Sequence, residues 1–306
     1  MNNQKKFNLI VILGPTASGK TGLAVKLAGE IGSEIISADS RQVYRGMDIG
    51  TGKELEEYGP VPYHLIDIID PSEEFSLFDY QQAFYKVFGD LRKRNIIPVM
   101  AGGTGLYLDA VIRGYDMLRV PENRELRKEL EPLSEEELAL RLKKLNPALH
   151  NTTDLKIKER IMRAIEIALY EEDEAHESPV HPQINPLVTG VLWQREVLRE
   201  RITKRLKARL DEGLVEEVKN LHDSGISWER LDLFGLEYRY VAQHLKGEIN
   251  RNDMFQKLNS AIHKFAKRQE TWFRRMEKKG IHIEWIEEGD YEKLKCYVIH
   301  EMSSLR

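Results

Sequence analysis

Residues 14–21 read Gly-Pro-Thr-Ala-Ser-Gly-Lys-Thr, so that Gly14, Gly19, Lys20 and Thr21 fill every fixed position of the G-x-x-x-x-G-K-[ST] phosphate loop. The chemistry of this spacing is electrostatic. Glycines let the backbone turn successive N–H groups toward one anion, and the N-terminus of the helix that follows adds its partial positive charge. Lys20 would neutralise a terminal phosphate, and the Thr21 hydroxyl would hold Mg²⁺. The whole loop, Gly14, Pro15, Thr16, Ala17, Ser18, Gly19, Lys20 and Thr21, is therefore expected to bind a diphosphate or nucleotide. Phosphate binding alone implies neither hydrolysis nor phosphoryl transfer. A kinase also wants a metal-orienting acid at the end of a neighbouring strand. The run ending in Ala101-Gly102-Gly103-Thr104 supplies none, whereas Asp39 ends another run and Asp67 and Asp70 lie near a third.

The elements that must position this loop are legible around it. Residues 8–13 form an apolar run of strand formers, and 22–29 read as a helix with Leu23, Leu27 and Ala28 inward. Further strands are expected at 34–38, ending at Asp39, at 96–100, ending at Gly102-Gly103, and at 188–192. Strands alternating with helices imply a parallel α/β sheet, with ligands outside the carboxyl ends of the strands, so these polar segments should gather at one edge. From 115 to 186 the strand-like runs vanish. Leu138, Leu142, Leu145 and Leu149, then Ile157, Ile161, Ala164, Ile165 and Ala168, recur at helical spacing. The expected fold class is α/β: a P-loop NTPase-like parallel sheet core with flanking helices (1–114 and 187–306) carrying a small all-helical insertion (115–186).

The chain has 306 residues, 31% of them charged, and a formal net charge of −4, which excludes a uniformly basic nucleic-acid coat but not a local basic patch. One cysteine, Cys296, excludes an intramolecular disulfide framework and fits a reducing compartment; the absence of any apolar run of about 20 residues argues against a membrane span. A soluble cytoplasmic enzyme, monomeric, is the expectation.

Several segments together resemble the tRNA dimethylallyltransferase (tRNA isopentenyltransferase) family: 14–21; Asp-Ser-Arg-Gln-Val-Tyr at 39–44; Gly-Met-Asp-Ile-Gly-Thr-Gly-Lys at 46–53; His-Leu-Ile-Asp at 64–67; Gly-Gly-Thr-Gly-Leu-Tyr at 102–107; and Ala-Lys-Arg-Gln-x-Thr-Trp-Phe-Arg at 266–274. The resemblance implies transfer of a five-carbon prenyl group from dimethylallyl diphosphate, with Mg²⁺, to N6 of adenosine 37 beside the anticodon of tRNAs that read codons beginning with U. It implies Asp39 as general base, Thr16 near the diphosphate and the reacting amine, and Arg205 as a further diphosphate ligand. It assigns tRNA contacts to Asp39, Ser40, Arg41, Gln42 and Thr104 around a flipped-out base, and to Arg160 and Arg163 on the RNA backbone of the anticodon stem-loop.

Basic stripes support an RNA partner. Residues 264–279 carry seven basic and two acidic side chains, and 199–209 six and one. On a helix Arg201, Arg205 and Arg209 would line one stripe, as would Lys156, Arg160 and Arg163 in the insertion. Phe265, Trp272 and Met276 are expected on one core-facing side of the 264–279 helix, and Trp193, Trp228 and Trp285 in packing roles. His176 and His181 are five apart with Pro179 between them, which does not fit a zinc helix.

The chain departs from the family pattern at Phe234-Gly235-Leu236-Glu237-Tyr238-Arg239, where an Ile-Gly-Tyr element is usual, at Arg199 in place of a tyrosine, and in a short insertion. These departures bear on the acceptor RNA rather than on the diphosphate. Two other readings remain open at this point. A prenyltransferase for free adenine nucleotides would need neither the insertion nor the basic C-terminal helix, and a P-loop kinase or nucleotide-dependent RNA-binding protein would bind ATP productively.

Overall fold

A computed structural model describes residues 7–145, 158–173 and 181–303. Leu149, Lys156, Ile157 and residues 176–180 lie outside the described residues. The chain divides into two compact units, Met1–Tyr115 with His181–Arg306, and Asp116–Val180.

The larger unit is built on one parallel sheet whose strands are β1 (Leu9–Leu13), β2 (Ile35–Ala38), β3 (Tyr63–His64), β4 (Val99–Gly102), β5 (Pro186–Leu192) and β6 (Glu284–Glu287), in the order β3-β2-β4-β1-β5-β6. All five residues of β1 are buried, because alternate side chains enter two different cores. Leu9, Val11 and Leu13 meet Tyr80, Phe84 and Phe88 of α2 (Leu77–Lys93) on one face. Ile10 and Ile12 meet Ala24, Leu27 and Ala28 of α1 (Lys20–Ile31) on the other. After β1 the chain passes to β2 beyond β4, whereas β5 lies on the opposite side of β1; this reversal is the place where ligands bind in open α/β sheets.

The strand expected at 96–100 starts three residues later. Asn95, at φ 59°, closes α2, and the Ile96 N–H is spent on Leu91 O. Pro98 follows, with no N–H for a ladder. At its far end β4 takes in Gly102, where a Cβ would stand 2.2 Å from Ala38 O. The short edge strand β3 falls just before Asp67, where a further run is expected, whereas the edge strand β6 has no sequence signal strong enough to mark it.

Around this sheet run α3 (Gly105–Ile112), α7 (Arg195–Asp211), α8 (Leu214–Asp223), α9 (Trp228–Leu233), α10 (Leu236–Leu245), α11 (Arg251–Lys278) and α12 (Tyr291–Ser303). The buried stripe of α11 is Met254, Leu258, Ile262, Ala266, Gln269, Phe273 and Met276. Phe265 is therefore not on the core face, contrary to the spacing argument; it is 37% exposed, with Arg268 over its ring. The smaller unit packs Leu130 of α4 (Arg124–Leu130), Leu138 and Leu142 of α5 (Glu135–Leu145), and Ile161, Met162 and Ile165 of α6 (Lys158–Asp173). Within it, buried Glu166 accepts from Arg127 and Arg163.

Candidate active site

The phosphate loop leaves β1 and enters α1 through Gly19, whose φ of 84° suits glycine. No side chain caps α1, so its first N–H groups stand ready for an anion. Two residues of the β5–α7 segment brace the loop from outside. Trp193 donates its indole N–H to Ser18 O at 2.9 Å, and Arg201 donates Nε–H to Ala17 O at 2.9 Å while its guanidinium lies over the Trp193 ring. Trp193 thus has a specific duty that its packing role did not reveal.

Ala17, Gly19, Lys20, Thr21, Glu54, Glu57, Arg201, Lys204 and Arg205 line a cavity of about 470 Å³. Burial pulls the Lys20 ammonium down to about 8, against the pull of Asp39; Arg205 and Arg209 lower it further. The expected stripe of α7 faces this region as three arginines with three backbone targets. Arg201 takes Ala17 O, Arg205 reaches Gly52 O at 3.5 Å and pairs with Glu54 at 2.7 Å, and Arg209 reaches Gly50 O at 3.4 Å. Arg209 is buried beside Glu237, 3.6 Å away, and burial lowers its pKa while raising that of Glu237.

Mg²⁺ fits this donor set. The Thr21 hydroxyl and the Glu54 and Glu57 carboxylates line one cavity, all hard oxygen donors. Burial, then the charge of Glu54, push the Glu57 carboxyl up, a strain that a cation would relieve. Among the described residues no group of three or more His, Cys, Asp or Glu is arranged for a metal, so diphosphate oxygens and water would supply most of the shell.

Asp39 follows β2, and its Oδ1 accepts the Arg41 N–H at 2.9 Å. The same turn is tied to the end of β4, because the Ser40 N–H donates to Thr104 Oγ1 at 3.1 Å and the Thr104 N–H to Ala38 O at 3.2 Å. Gln42 is buried, accepting from Ser37 Oγ and donating to Gly52 O, so in this conformation its amide holds the turn to the 50–54 loop. That loop is in turn fixed by two charges. Lys53, fully buried, donates to Tyr44 O and Asp48 at 2.7 Å each and to Asp67. Glu217 of α8 accepts the N–H groups of Asp48, Ile49 and Gly50. Asp67, considered above as a metal-orienting acid, is thus a partner of Lys53.

In the smaller unit Arg160 is exposed, and Arg163 donates to Glu166 and to Val120 O while keeping a side chain 38% exposed. Sequence reasoning gave no role to Gln269, a member of the 266–274 segment, whose amide joins Thr16 N–H to Gly103 O at 2.8 Å each. Its signal was a lone amide in an otherwise apolar stripe of α11.

The family model described as IPP transferase matches residues 42–276, and one described as isopentenyl transferase matches 7–58. The chain belongs to the IPP transferase family. It is 61% identical to tRNA dimethylallyltransferase 1 of Geotalea uraniireducens, with 94% of this chain and 95% of the relative covered. It is 62% identical to tRNA dimethylallyltransferase 2 of Syntrophotalea carbinolica, with 92% and 94% covered. The crystal structure of a tRNA isopentenylpyrophosphate transferase from Bacillus halodurans superposes with a TM-score of 0.72 at 33% identity, covering 98% of each chain. In this member of the family the phosphate loop, the Asp39 turn and the Gly102–Gly103 turn end three neighbouring strands, β1, β2 and β4.

Proposed function

We propose that this protein transfers a dimethylallyl group from dimethylallyl diphosphate to N6 of adenosine 37 in tRNA. The observation that carries the reading is the placement of a phosphate loop and a carboxylate, Asp39, at the ends of strands that flank β4 on either side. The unpaired N–H groups at the start of α1, with the Lys20 and Arg205 side chains, bind the diphosphate. The bond between its oxygen and the allylic carbon breaks, the electron pair leaves with the diphosphate, and the new bond forms to N6. Asp39 takes the proton that the amine gives up, which matters because the adenine lone pair is delocalised and weakly nucleophilic. Thr16, whose N–H is held by Gln269, lies between leaving group and amine. Thr21 would hold Mg²⁺ beside the diphosphate, and the cation would add charge stabilisation to the leaving group.

A cleft of about 830 Å³, with Pro15, Trp193, Leu198, Ile202 and Trp285 in its wall and Arg195, Arg199, Lys264 and Lys267 beside them, offers an amphiphilic approach to the loop for the prenyl diphosphate. Ser40, Arg41, Gln42 and Thr104 receive the flipped adenosine, and Arg160 and Arg163 hold RNA phosphates. The stem-loop would require Gln42 to exchange its contacts with Ser37 and Gly52 for a base edge. No helix of the described residues is long and apolar enough to cross a membrane. The reading has the protein acting on tRNA in the cytoplasm, as a monomer.

The test incubates the protein and Mg²⁺ with labelled dimethylallyl diphosphate, offering unmodified tRNA or AMP, with an ATP-only control. Label in N6-prenyladenosine of tRNA is the expected result. Label in AMP alone, or phosphate released from ATP without prenyl transfer, would refute it.

A further inference from the structure

Gln269 sits among Ile262, Ala266, Phe273 and Met276 on the buried face of α11 and is 7% exposed. Packing at such a position is served by Leu or Met, and a buried amide is costly unless both its ends are bonded. Both are. Oε1 accepts the Thr16 N–H of the phosphate loop at 2.8 Å, and Nε2 donates to Gly103 O, after β4, at 2.8 Å. The connection continues through backbone: the Thr104 N–H donates to Ala38 O, and Thr104 Oγ1 accepts the Ser40 N–H. Gln269 is thereby one end of a hydrogen-bonded path from the phosphate loop, across the end of β4, to the turn that carries Asp39. The junction has no slack. A Cβ on Gly103 would lie 2.5 Å from Gln269 Nε2 and 3.5 Å from Lys20 Nζ.

We propose that Gln269 is a positioning residue for the transfer, fixing the phosphate loop against the Asp39 turn and hence the allylic carbon against the amine. The proposal rests on the prenyl-transfer reading above. Gln269 touches the loop only at the Thr16 N–H, at the start of the loop, and bonds none of Gly19, Lys20, Thr21 and Arg205, which grip the diphosphate itself. Attack requires reacting atoms about 3–3.5 Å apart, and a slip of about 1 Å costs on the order of a hundredfold. Losing the amide therefore lowers kcat far more than it raises KM for the diphosphate.

Two variants separate this from simple packing. Gln269→Met fills the same space without either hydrogen bond. Gln269→Glu, when ionised, accepts from Thr16 but opposes Gly103 O; when protonated it donates to Gly103 O again. With dimethylallyl diphosphate and tRNA, Gln269→Met should lose about ten- to a hundredfold in kcat, with KM for the diphosphate within about threefold. The kcat of Gln269→Glu relative to wild type should recover as pH falls from about 8 to about 5.5, because a buried carboxyl facing a carbonyl holds its proton more readily than in water. The Gln269→Met ratio should stay flat over that range. Gln269→Met with kcat within about twofold of wild type overturns the proposal. So does a Gln269→Glu ratio without pH recovery, which decides the matter alone if Gln269→Met fails to fold. A wild-type enzyme that prenylates no tRNA removes the functional reading and the proposal with it, whereas an active wild type with indifferent variants removes only the proposal.

Discussion

With Lys20 as the proposed diphosphate ligand, its low pKa should set a pH limit on capture. Burial brings the ammonium from 10.5 down to about 8 despite the opposing charge of Asp39. The group is lowered, so it loses its proton as pH rises through 8 in the free enzyme. By the titration law, charged outnumbers neutral Lys20 about tenfold at pH 7, equals it at pH 8 and is outnumbered about tenfold at pH 9. The value of kcat/KM for dimethylallyl diphosphate, which reports free-enzyme ionisations, should fall about tenfold between pH 7 and 9. Phosphate second ionisations lie near about 6, so the substrate keeps a constant charge over this range. The diphosphate restores the Lys20 charge, and binding at pH 8 should take up about half a proton, measurable by calorimetry in buffers of different ionisation enthalpy. The stability consequence has the opposite sense to a salt bridge. Between pH 8 and 10.5 the unfolded chain binds more protons at this site than the folded one, so the free protein gains stability as pH rises, by at most about 3 kcal/mol. Lys20→Met should lower kcat/KM roughly 10- to 100-fold, the worth of a charge-assisted hydrogen bond, and flatten the basic limb. A profile flat from pH 7 to 9, or a basic limb that survives in Lys20→Met, would refute the argument.

Three further outcomes follow from the site. Asp39→Asn keeps an oxygen for the Arg41 N–H but cannot take a proton, so single-turnover transfer at saturating diphosphate should slow by about 10²–10⁴; near-normal transfer removes Asp39 as base. Arg160→Ala and Arg163→Ala should each weaken tRNA binding and reduce the slope of log K against log salt by about 0.7–0.9, as filter binding from low to moderate salt would report; unaltered slopes remove both from the RNA backbone. Arg163→Ala should in addition lower the melting temperature, because it strips a partner from buried Glu166. Lys53→Met leaves Asp48 and Asp67 without their shared cation; since both carboxylates have some access to water, about 2–3 kcal/mol is expected in urea unfolding, below the usual cost of breaking a fully buried pair.

The phosphate loop was legible because its chemistry is local: four fixed residues between an apolar run and a helix dictate backbone geometry wherever they occur. Asp39 was legible for a related reason, since the strand before it ends on the carboxyl edge that α/β sheets devote to ligands. What stayed hidden was set by partners far along the chain. Trp193 and Ser18, Glu217 and Gly50, and Gln269 and Thr16 are separated by 175, 167 and 253 residues, and no spacing rule connects such pairs. Phe265 illustrates the reverse error. Hydrophobicity put it with the core, but the apolar stripe of α11 runs through Ile262, Ala266, Gln269 and Phe273, leaving position 265 off that line by about a quarter turn. The one polar member of the stripe is the residue with a task beyond packing.

The end of β4 explains why this phosphate loop suits departure of a diphosphate better than phosphoryl transfer of the usual kind. β4 is the strand between β1 and β2, and a metal-orienting acid placed there would face the loop directly. Its last residue is Gly102, where a Cβ would meet Ala38 O at 2.2 Å; the next is Gly103, where it would meet Gln269 Nε2 at 2.5 Å. No side chain, acidic or otherwise, fits at Gly102 without moving backbone, and at Gly103 one would displace the Gln269 amide. The space is taken instead by hydrogen bonds that hold three loops together, and the carboxylate that does stand at this edge, Asp39, lies one strand further from β1. That greater separation is what the chemistry of alkyl transfer asks for. In phosphoryl transfer the bond changes occur at phosphorus, inside the grip of the loop. In prenyl transfer they occur at carbon, beyond the diphosphate oxygens, and the proton to be removed belongs to a nucleophile further out still. An acid transplanted onto Gly102 should consequently unfold the junction rather than create a kinase.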